Sequence, residues 1–506
     1  MADWDDATTF AHAWAHTVAA RSHDTFLRFE GPDGHIAEWT YAEFDSQVAR
    51  VASLLADEGV GPGHGVHLAL TNCPTFVAVW LAANRMGAFI VPSDPMGKAP
   101  ELADHIERTG PTVGFCSTMR AAEYRTAAPS GTTVVEIDET DIDFVPFPQR
   151  EFANWHAPAL TDRAAVMFTS GTTGRPKGVE ITQANYAFAG MAMARAAGLR
   201  PADRQLVVLP LFHANAQYYS FASAISVGAS VALVHGFSAS QFLDQVQRHH
   251  ATCASLFAAP IRMILARGQA VPGVSLRHCW FAQNLADDQY ETFASWIGCR
   301  PRQLYGMTET IPAVLTDGAE SPRADSMGFV TEGCEVHLVD STGAQVPPDH
   351  VGEIAVGGAR GVTLFAGYLD DHVTTAASFS DGWFRTGDRA RCDTSGRFFF
   401  DGRRSDVLKV AGENVSTVEV EGVLSAHPAV LEASVVGAPD PIREEVPVAF
   451  VVLPDPAAPP TANELETWCA DRLGKAKHPR DITFLDELPR TSVGKIRKFL
   501  LKEAAT

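Results

Sequence analysis

The chain is short of positive charge. Forty lysines and arginines stand against sixty aspartates and glutamates in 506 residues, a formal net charge of −20. An acidic surface repels nucleic acid and anionic membranes, so neither is an expected partner. Any phosphate-bearing ligand must therefore meet positive charge locally. Cysteine is sparse too. The eight residues Cys73, Cys116, Cys253, Cys279, Cys299, Cys334, Cys392 and Cys469 include no Cys-x-x-Cys pair. That excludes a disulfide framework and any recognisable zinc spacing, and it fits small buried thiols in a reducing cytosol. The first residues, "MADWDDATTF", lack the apolar core of a secretion signal. The most apolar stretch, "FVAVWLAANRMGAFIVP", is broken by Asn84 and Arg85 before it reaches spanning length, and reads as a buried helix followed by a strand. A cytoplasmic protein without a membrane span is expected. There is no internal repeat, and no biased tract beyond "PDPAAPPTAN" at 454–463.

What is present is enough chain for two or more domains. Helix and strand patterns alternate through the first 400 residues. "TYAEFDSQVARVASLLADEGVGPG" carries Phe44, Val48, Val51, Leu54 and Leu55 at helical spacing and stops at Gly-Pro-Gly. "HGVHLAL" then reads as a strand, and comparable units recur at "EYRTAAPSGTTVVEI", "QFLDQVQRHHATCASLFA" and "YETFASWIGCRPRQLYG". This alternation predicts a large α/β N-terminal domain of parallel-rich sheets wrapped by helices, with a β-rich segment. Near residue 400 the texture changes to short strands, then a helix opened by Ser416-x-x-Glu419, a capping-box pattern, with Val420, Val423 and Leu424 on its apolar face. The boundary is placed near Arg403–Asp406, giving domains of 1–403 and 404–506, the second a small mobile α+β unit.

Residues 166–182, "VMFTSGTTGRPKGVEIT", set five hydroxyls, three glycines and a lysine after an apolar run. The NTPase phosphate loop is not matched, because Pro176 and Gly178 occupy positions where that motif needs Gly and Ser or Thr. The ingredients are still those of an oxyanion cradle: glycines that let backbone N–H groups approach, hydroxyl donors and a point charge. A plain polar hairpin between two strands is the competing reading. Four further stretches are unusual: "YGMTET" at 305–310, "WFRTGD" at 383–388, "GRRSD" at 402–406 and "PRTSVGKIRK" at 489–498. Singly each has a bland explanation: Tyr305 a core aromatic, Glu309 a solvated helix-start acid, Asp388 a turn-satisfying carboxylate, Arg403 a surface partner for Asp401 or Asp406, Lys495 one surface lysine among several.

Together and in this order the five motifs resemble the adenylate-forming superfamily of acyl-CoA synthetases, peptide-synthetase adenylation domains and firefly-type luciferases, across nearly the whole chain. The resemblance implies ATP, Mg²⁺ and coenzyme A as ligands of an AMP-forming ligase. It implies that Thr169, Ser170, Gly171, Thr172, Thr173, Gly174 and Lys177 hold the β- and γ-phosphates. Tyr305, with Gly306 and Met307, would face adenine. Thr308 would reach the α-phosphate, and Glu309 would hold Mg²⁺, an oxygen-seeking cation. Asp388 would accept from the ribose hydroxyls, assisted by Arg403. Lys495 matches the catalytic lysine, aimed at charge that builds on the α-phosphoryl group. A second conformation would bring Ala411 and Gly412 to the thiol tunnel, with Lys409 near the AMP phosphate. Ser405 stands where the family's hinge is usually Asp or Lys, and a small hydroxyl residue can absorb the dihedral change.

The acid is less legible. His213, in "PLFHANAQYYS", matches a position beside the acyl pocket, with a satisfied core histidine as the alternative. The paired histidines of "QRHHAT" point apart on a helix, and no metal is assigned there. The missing Asp after His213 disfavours an α-amino acid. Gln283 and Asn284, in "FAQNLADD", replace the small residues common in aryl- and acyl-CoA synthetases. These features are similar to the crotonobetaine/carnitine-CoA ligase branch. A quaternary ammonium would favour an aromatic box, with Tyr218, Tyr219, Trp280 and Phe281 as candidates, or these rings are simply core. A bulky cyclic or aryl acid could use the same amides. An adenylation enzyme loading an acyl carrier protein, and a non-catalytic ligand-binding homologue, remain the rival functions; a homodimer is allowed.

Overall fold

A computed structural model describes residues 8–169, 176–403, 406–410, 413–441, 443–454, 459–490 and 496–505. Within them, parallel strands joined by helices dominate up to Tyr305. One nine-stranded sheet runs Thr25–Glu30, Ser230–Val234, Arg204–Val207, Cys253–Phe257, His278–Ala282 and Arg302–Tyr305 in parallel register, with antiparallel strands at both edges. A seven-stranded sheet sets Gly65–Ala69, Phe89–Pro92, Val113–Ser117, Thr133–Ile137 and Arg163–Thr169 parallel, then turns antiparallel at Lys177–Thr182 and Gly367–Tyr368.

The helix Pro74–Arg85 is opened by a proline in its first turn and is buried on every side from Pro74 to Asn84. Its sequence has no polar face, which a surface helix would need. One core holds Leu27, Phe29 and Val231 of the first sheet, Val66, Leu68 and Ile90 of the second, and Phe76 and Trp80 of this helix. Each such side chain contributes about 1.5–3 kcal/mol by leaving water.

The β-rich segment is a five-stranded antiparallel sheet that includes Val351–Gly357, Trp383–Cys392 and Phe398–Arg403. A separate five-stranded sheet begins at Val407–Val410 and carries the helices Thr417–Ser425 and Ala462–Ala470 over one core, with Leu501 of Lys498–Ala504 in another. Ser416 is the N-cap of its helix but makes no capping hydrogen bond, a correction to the expected capping box. Its hydroxyl donates instead to the Asp401 carbonyl at 3.4 Å, while Glu419 pairs with Lys477 at 2.6 Å. The eight cysteines are all free, five of them buried, and burial pushes the Cys116 thiol up to about 12. Among the described residues no helix is long and apolar enough to cross a membrane.

A buried polar chain crosses the seven-stranded sheet. Tyr124 Oη lies 2.8 Å from His67 Nδ1, His67 Nε2 lies 2.9 Å from Ser93 Oγ, and Ser93 Oγ lies 2.8 Å from His105 Nδ1. Burial, then the charge of His105, pulls His67 down to about 3, and burial pulls His105 down to about 4. In the unfolded chain both rings bind protons below about pH 6.5, so there the unfolded state holds more protons than the folded one. Stability should therefore be retained above about pH 6.5 and fall towards pH 4, by about 1.4 kcal/mol per pH unit for each ring. Thermal melting across this range should show a steep acid-side loss. His105→Gln should flatten it, and an unchanged slope would contradict the assignment.

Candidate active site

Two of the unusual motifs stand at the C-terminal ends of parallel strands, Arg163–Thr169 and Arg302–Tyr305. Strand Arg302–Tyr305 delivers "YGMTET" to the edge of the nine-stranded sheet, leaving Tyr305 to Thr308 half-buried and tucking Glu309 inside at 5% exposure. Gly306 is required: a Cβ there would lie 2.9 Å from Ala313 Cα, Pro312 O and Tyr219 Oη. The turn is held by Met307 N–H donating to Thr310 Oγ1 at 2.9 Å. It closes with Ile311 at φ +72°, buried and left-handed, a costly conformation for a β-branched residue and one that collects at functional sites.

Two groupings form here. In the first, Asp388 (3% exposed) accepts from Tyr305 Oη at 2.8 Å and from Arg403 Nε at 2.9 Å. The pairing register of Trp383–Cys392 with Phe398–Arg403 sets Asp388 opposite Arg403, and Gly387 at φ +75° makes the preceding turn. The Asp388 carboxylate holds the Arg403 guanidinium above its ordinary value. In the second, Tyr368 Oη donates to Glu309 Oε1 at 3.0 Å while Lys177 Nζ lies 4.6 Å over the Tyr368 ring. Burial, then Glu309, raises the Tyr368 phenol, so it stays a donor. A buried carboxylate, an ammonium and half-exposed Thr308 thus share one edge.

The strands Arg163–Thr169 and Lys177–Thr182 pair antiparallel with Thr169 opposite Lys177, the strand pairing that the hairpin reading expects. Ser170, Gly171, Thr172, Thr173 and Gly174 lie outside the described residues, as do Ser405, Ala411, Gly412 and Lys495. Two described contacts close the base of the segment carrying Lys495: a bridge between Arg490 and Ile496, and Arg497 N–H donating to Pro489 O at 2.7 Å. Arg262 of the large domain lies within electrostatic reach of Glu432 and Arg490: burial pulls its guanidinium down, Glu432 opposing and Arg490 reinforcing the shift. Lys409 is exposed on Val407–Val410, its backbone N–H donating to Glu445 at 3.1 Å, apart from the Asp388 grouping.

The acid-side residues divide. His213 is half-buried, edge-on to Phe257 at 6.4 Å. Gln283 and Asn284 are exposed at the end of His278–Ala282, with Gln283 at φ +75° and both residues accepting from Gln303 Nε2. The aromatic box does not assemble. Strand alternation sends Phe281 to the opposite face of the sheet, against Tyr290, with no exposed surface. Tyr218 is likewise fully buried, its ring edge-on to Tyr186 and its hydroxyl 3.9 Å from Met167 Sδ. Both are buried in the core, and they lie on different faces of the layer they were expected to line together.

Three participants escaped the sequence reading. Tyr368 comes from a two-residue strand, and only its pairing with Val179 reveals it. Arg108 donates to the Pro176 carbonyl at 2.7 Å, and its guanidinium lies 4.8 Å from the Phe168 ring. His105 stacks on Phe168 at 3.9 Å. These last two brace the base of the glycine-rich segment. A helical i, i+3 spacing of His105 and Arg108 was the available signal, but it did not name their target.

Residues 14–369 match the AMP-binding enzyme family, and residues 419–495 match the AMP-binding enzyme C-terminal domain. The chain belongs to the AMP-binding enzyme family. It is 33% identical over 508 residues to the crotonobetaine/carnitine–CoA ligase of Salmonella choleraesuis (strain SC-B67), covering 97% of this chain and 98% of that one. Among solved structures it resembles an anthranilate CoA ligase bound to anthranoyl-AMP (TM-score 0.89, 26% identity, 100% and 98% covered). It also resembles a benzoate CoA ligase from Burkholderia xenovorans LB400 (TM-score 0.86, 26% identity, 98% and 100% covered). This AMP-binding enzyme is an acyl-CoA ligase by class.

Tyr368→Phe keeps the ring beneath Lys177 and removes the hydrogen bond to Glu309. Hydrogen bonds to charged groups contribute about 1.5–3 kcal/mol, and each 1.4 kcal/mol is a factor of about ten. Steady-state kinetics on the folded variant should show kcat/KM for ATP falling roughly ten-fold or more. Tyr368→Leu should fall further, and equal effects of the two would assign the role to the ring alone.

Proposed function

We propose that the chain activates a carboxylic acid with ATP and transfers it to coenzyme A through an acyl-adenylate. The observation that carries this reading is two buried carboxylates near the "YGMTET" turn: Asp388 bonded to Arg403 and Tyr305, and Glu309 bonded to Tyr368, over whose ring Lys177 lies. An acidic protein that takes up a triphosphate and a second anion must keep cations where those charges meet. Glu309 supplies an oxygen donor suited to Mg²⁺, which is held through one or two carboxylates plus substrate phosphates rather than by a protein cage. Among the described residues no group of three or more His, Cys, Asp or Glu offers such a cage. Mg²⁺ bound there would neutralise phosphate charge during attack on the α-phosphorus.

The residues then divide the work. Asp388 presents carboxylate lone pairs to ribose hydroxyls, with Arg403 fixing its orientation. Tyr305 lies along the adenine, and Thr308 donates towards the α-phosphate. The acid's carboxylate oxygen attacks the α-phosphorus and pyrophosphate leaves, carrying the bond's electrons. In the second half-reaction the CoA thiol, losing its proton, attacks the acyl carbon and AMP departs. Lys495, on the motif that resembles the family's catalytic segment, serves the first step. A turn of the small domain about Ser405 then withdraws it and brings Ala411 and Gly412 to the thiol's path, with Lys409 near AMP.

Pyrophosphate release across trimethylammonium, medium-chain, aryl and bulky cyclic acids, with and without CoA, tests the reaction. Turnover of one class to completion only with CoA supports it, whereas adenylate formation without a thioester points to a carrier-protein acceptor. Lys495→Ala should slow adenylation by roughly 10²–10³-fold while leaving thioester formation from supplied acyl-adenylate largely intact. Equal loss of both half-reactions would overturn the two-conformation account.

A further inference from the structure

A group of buried polar atoms on the inner face of the nine-stranded sheet has no hydrogen-bond partner among the described residues. Asn215 is 3% exposed, yet neither its amide N–H₂ nor its amide oxygen is paired; the Ser255 hydroxyl and the Trp280 indole N–H are buried and unpaired as well. Such groups cost about 1–3 kcal/mol each when left unmade, and native interiors rarely tolerate several together. The contrast with Gln217 is informative. In the same helix its amide accepts from Tyr186 Oη and donates to Leu211 O.

The three residues lie together. Asn215 opens a π-helix, Asn215–Ala222, a rare widening that often marks functional sites. Two contacts fix where this helix crosses the strand Cys253–Phe257. His213 meets Phe257 at the strand's C-terminal end. The Tyr219 carbonyl accepts from Gln205 at 3.4 Å, and Gln205 is in register with Cys253 at the other end. Asn215, between His213 and Tyr219, is set against the middle of the strand, where Ser255 sits. Trp280 is the register partner of Ser255 on the next strand, so alternation puts both on one face. Tyr219 Oη lies 2.9 Å from where a Gly306 Cβ would be, which connects this layer to the Tyr305–Thr308 lip.

We propose that Asn215, with Ser255 and Trp280, determines specificity by reading an uncharged oxygen-bearing group, a hydroxyl or carbonyl, on the tail of the carboxylic acid. This rests on the acid:CoA ligase reading. The group must accept, because the unpaired donors (the Asn215 amide, the Ser255 hydroxyl and the Trp280 N–H) outnumber the acceptors. A quaternary ammonium offers no acceptor. The nearest buried cation opposes one further: Arg302 lies 4.7 Å over the Trp280 ring, and its described partners, His278 Nδ1 and Ala196 O, include no acid.

The test uses the full chain with ATP and CoA and three acids of matched size: an oxo or hydroxy acid, its deoxy aliphatic isostere, and a trimethylammonium acid. The wild-type enzyme should prefer the oxygenated acid by roughly 10²-fold or more in kcat/KM, since a site built to hydrogen-bond rejects the analogue lacking the group. Asn215→Leu should invert that preference, and Ser255→Ala, a smaller change should the first variant unfold, should narrow it. Equal turnover of the oxygenated acid and its isostere, or an equal fractional loss on both in Asn215→Leu, would overturn the proposal and assign the layer to ordered water. Preference for the trimethylammonium acid would also overturn it. No thioester from any acid would instead remove the ligase reading on which it rests.

Discussion

The edge that carries "YGMTET" depends on holding a carboxylate, Asp388, out of water. Taking such a group from solvent costs several kcal/mol unless donors replace the lost hydration, and two do, from different parts of the chain. Tyr305 ends the last parallel strand of the nine-stranded sheet, and Arg403 ends the last strand before the small-domain sheet begins. Arg403 comes from the neighbouring strand of the same sheet, but Tyr305 cannot be supplied locally. The β-rich segment must therefore dock on the parallel sheet for Asp388 to be satisfied, and that docking sets the lip on which Thr308 and Glu309 sit.

The charge imbalance of the chain gives this arrangement its purpose. With twenty more acidic than basic residues, the mean field at the surface repels a triphosphate. The described cations near the site are few and each is held by a specific contact: Lys177 by the face of Tyr368, Arg403 by Asp388, Arg108 by the Pro176 carbonyl. Fixed cations cost less reorganisation when charge develops than mobile surface lysines would.

The sequence and the structure agree where chemistry demands a residue type within a short motif. Tyr305, Glu309 and Asp388 stand at the sheet edge because "YGMTET" and "WFRTGD" each combine a turn-forming glycine with the polar group that follows it. The alternation of helix and strand likewise announced the parallel sheets. What stayed hidden was whatever depends on partners far along the chain. Tyr368 and Arg108 meet the edge through sheet pairing and helix packing that no local spacing encodes. The capping box failed for a related reason: Ser416 and Glu419 have the right spacing, but Asp401 and Lys477 offered competing partners. The aromatic box failed because adjacent residues on a strand face opposite ways, so Trp280 and Phe281 could never have lined one wall together.

The buried helix Pro74–Arg85 bears on how the large domain can come apart. Its Phe76 and Trp80 belong to the one core that also holds residues of both sheets, and Pro74 to Asn84 are buried. Neither sheet owns a complete interior without it. The two sheets are therefore one cooperative unit although their strand orders are separate, and a protease acting on the native chain would find no seam between them. The small domain, with cores built from its own strands and helices, has such a seam. Limited digestion should release it whole and leave the two-sheet body undivided.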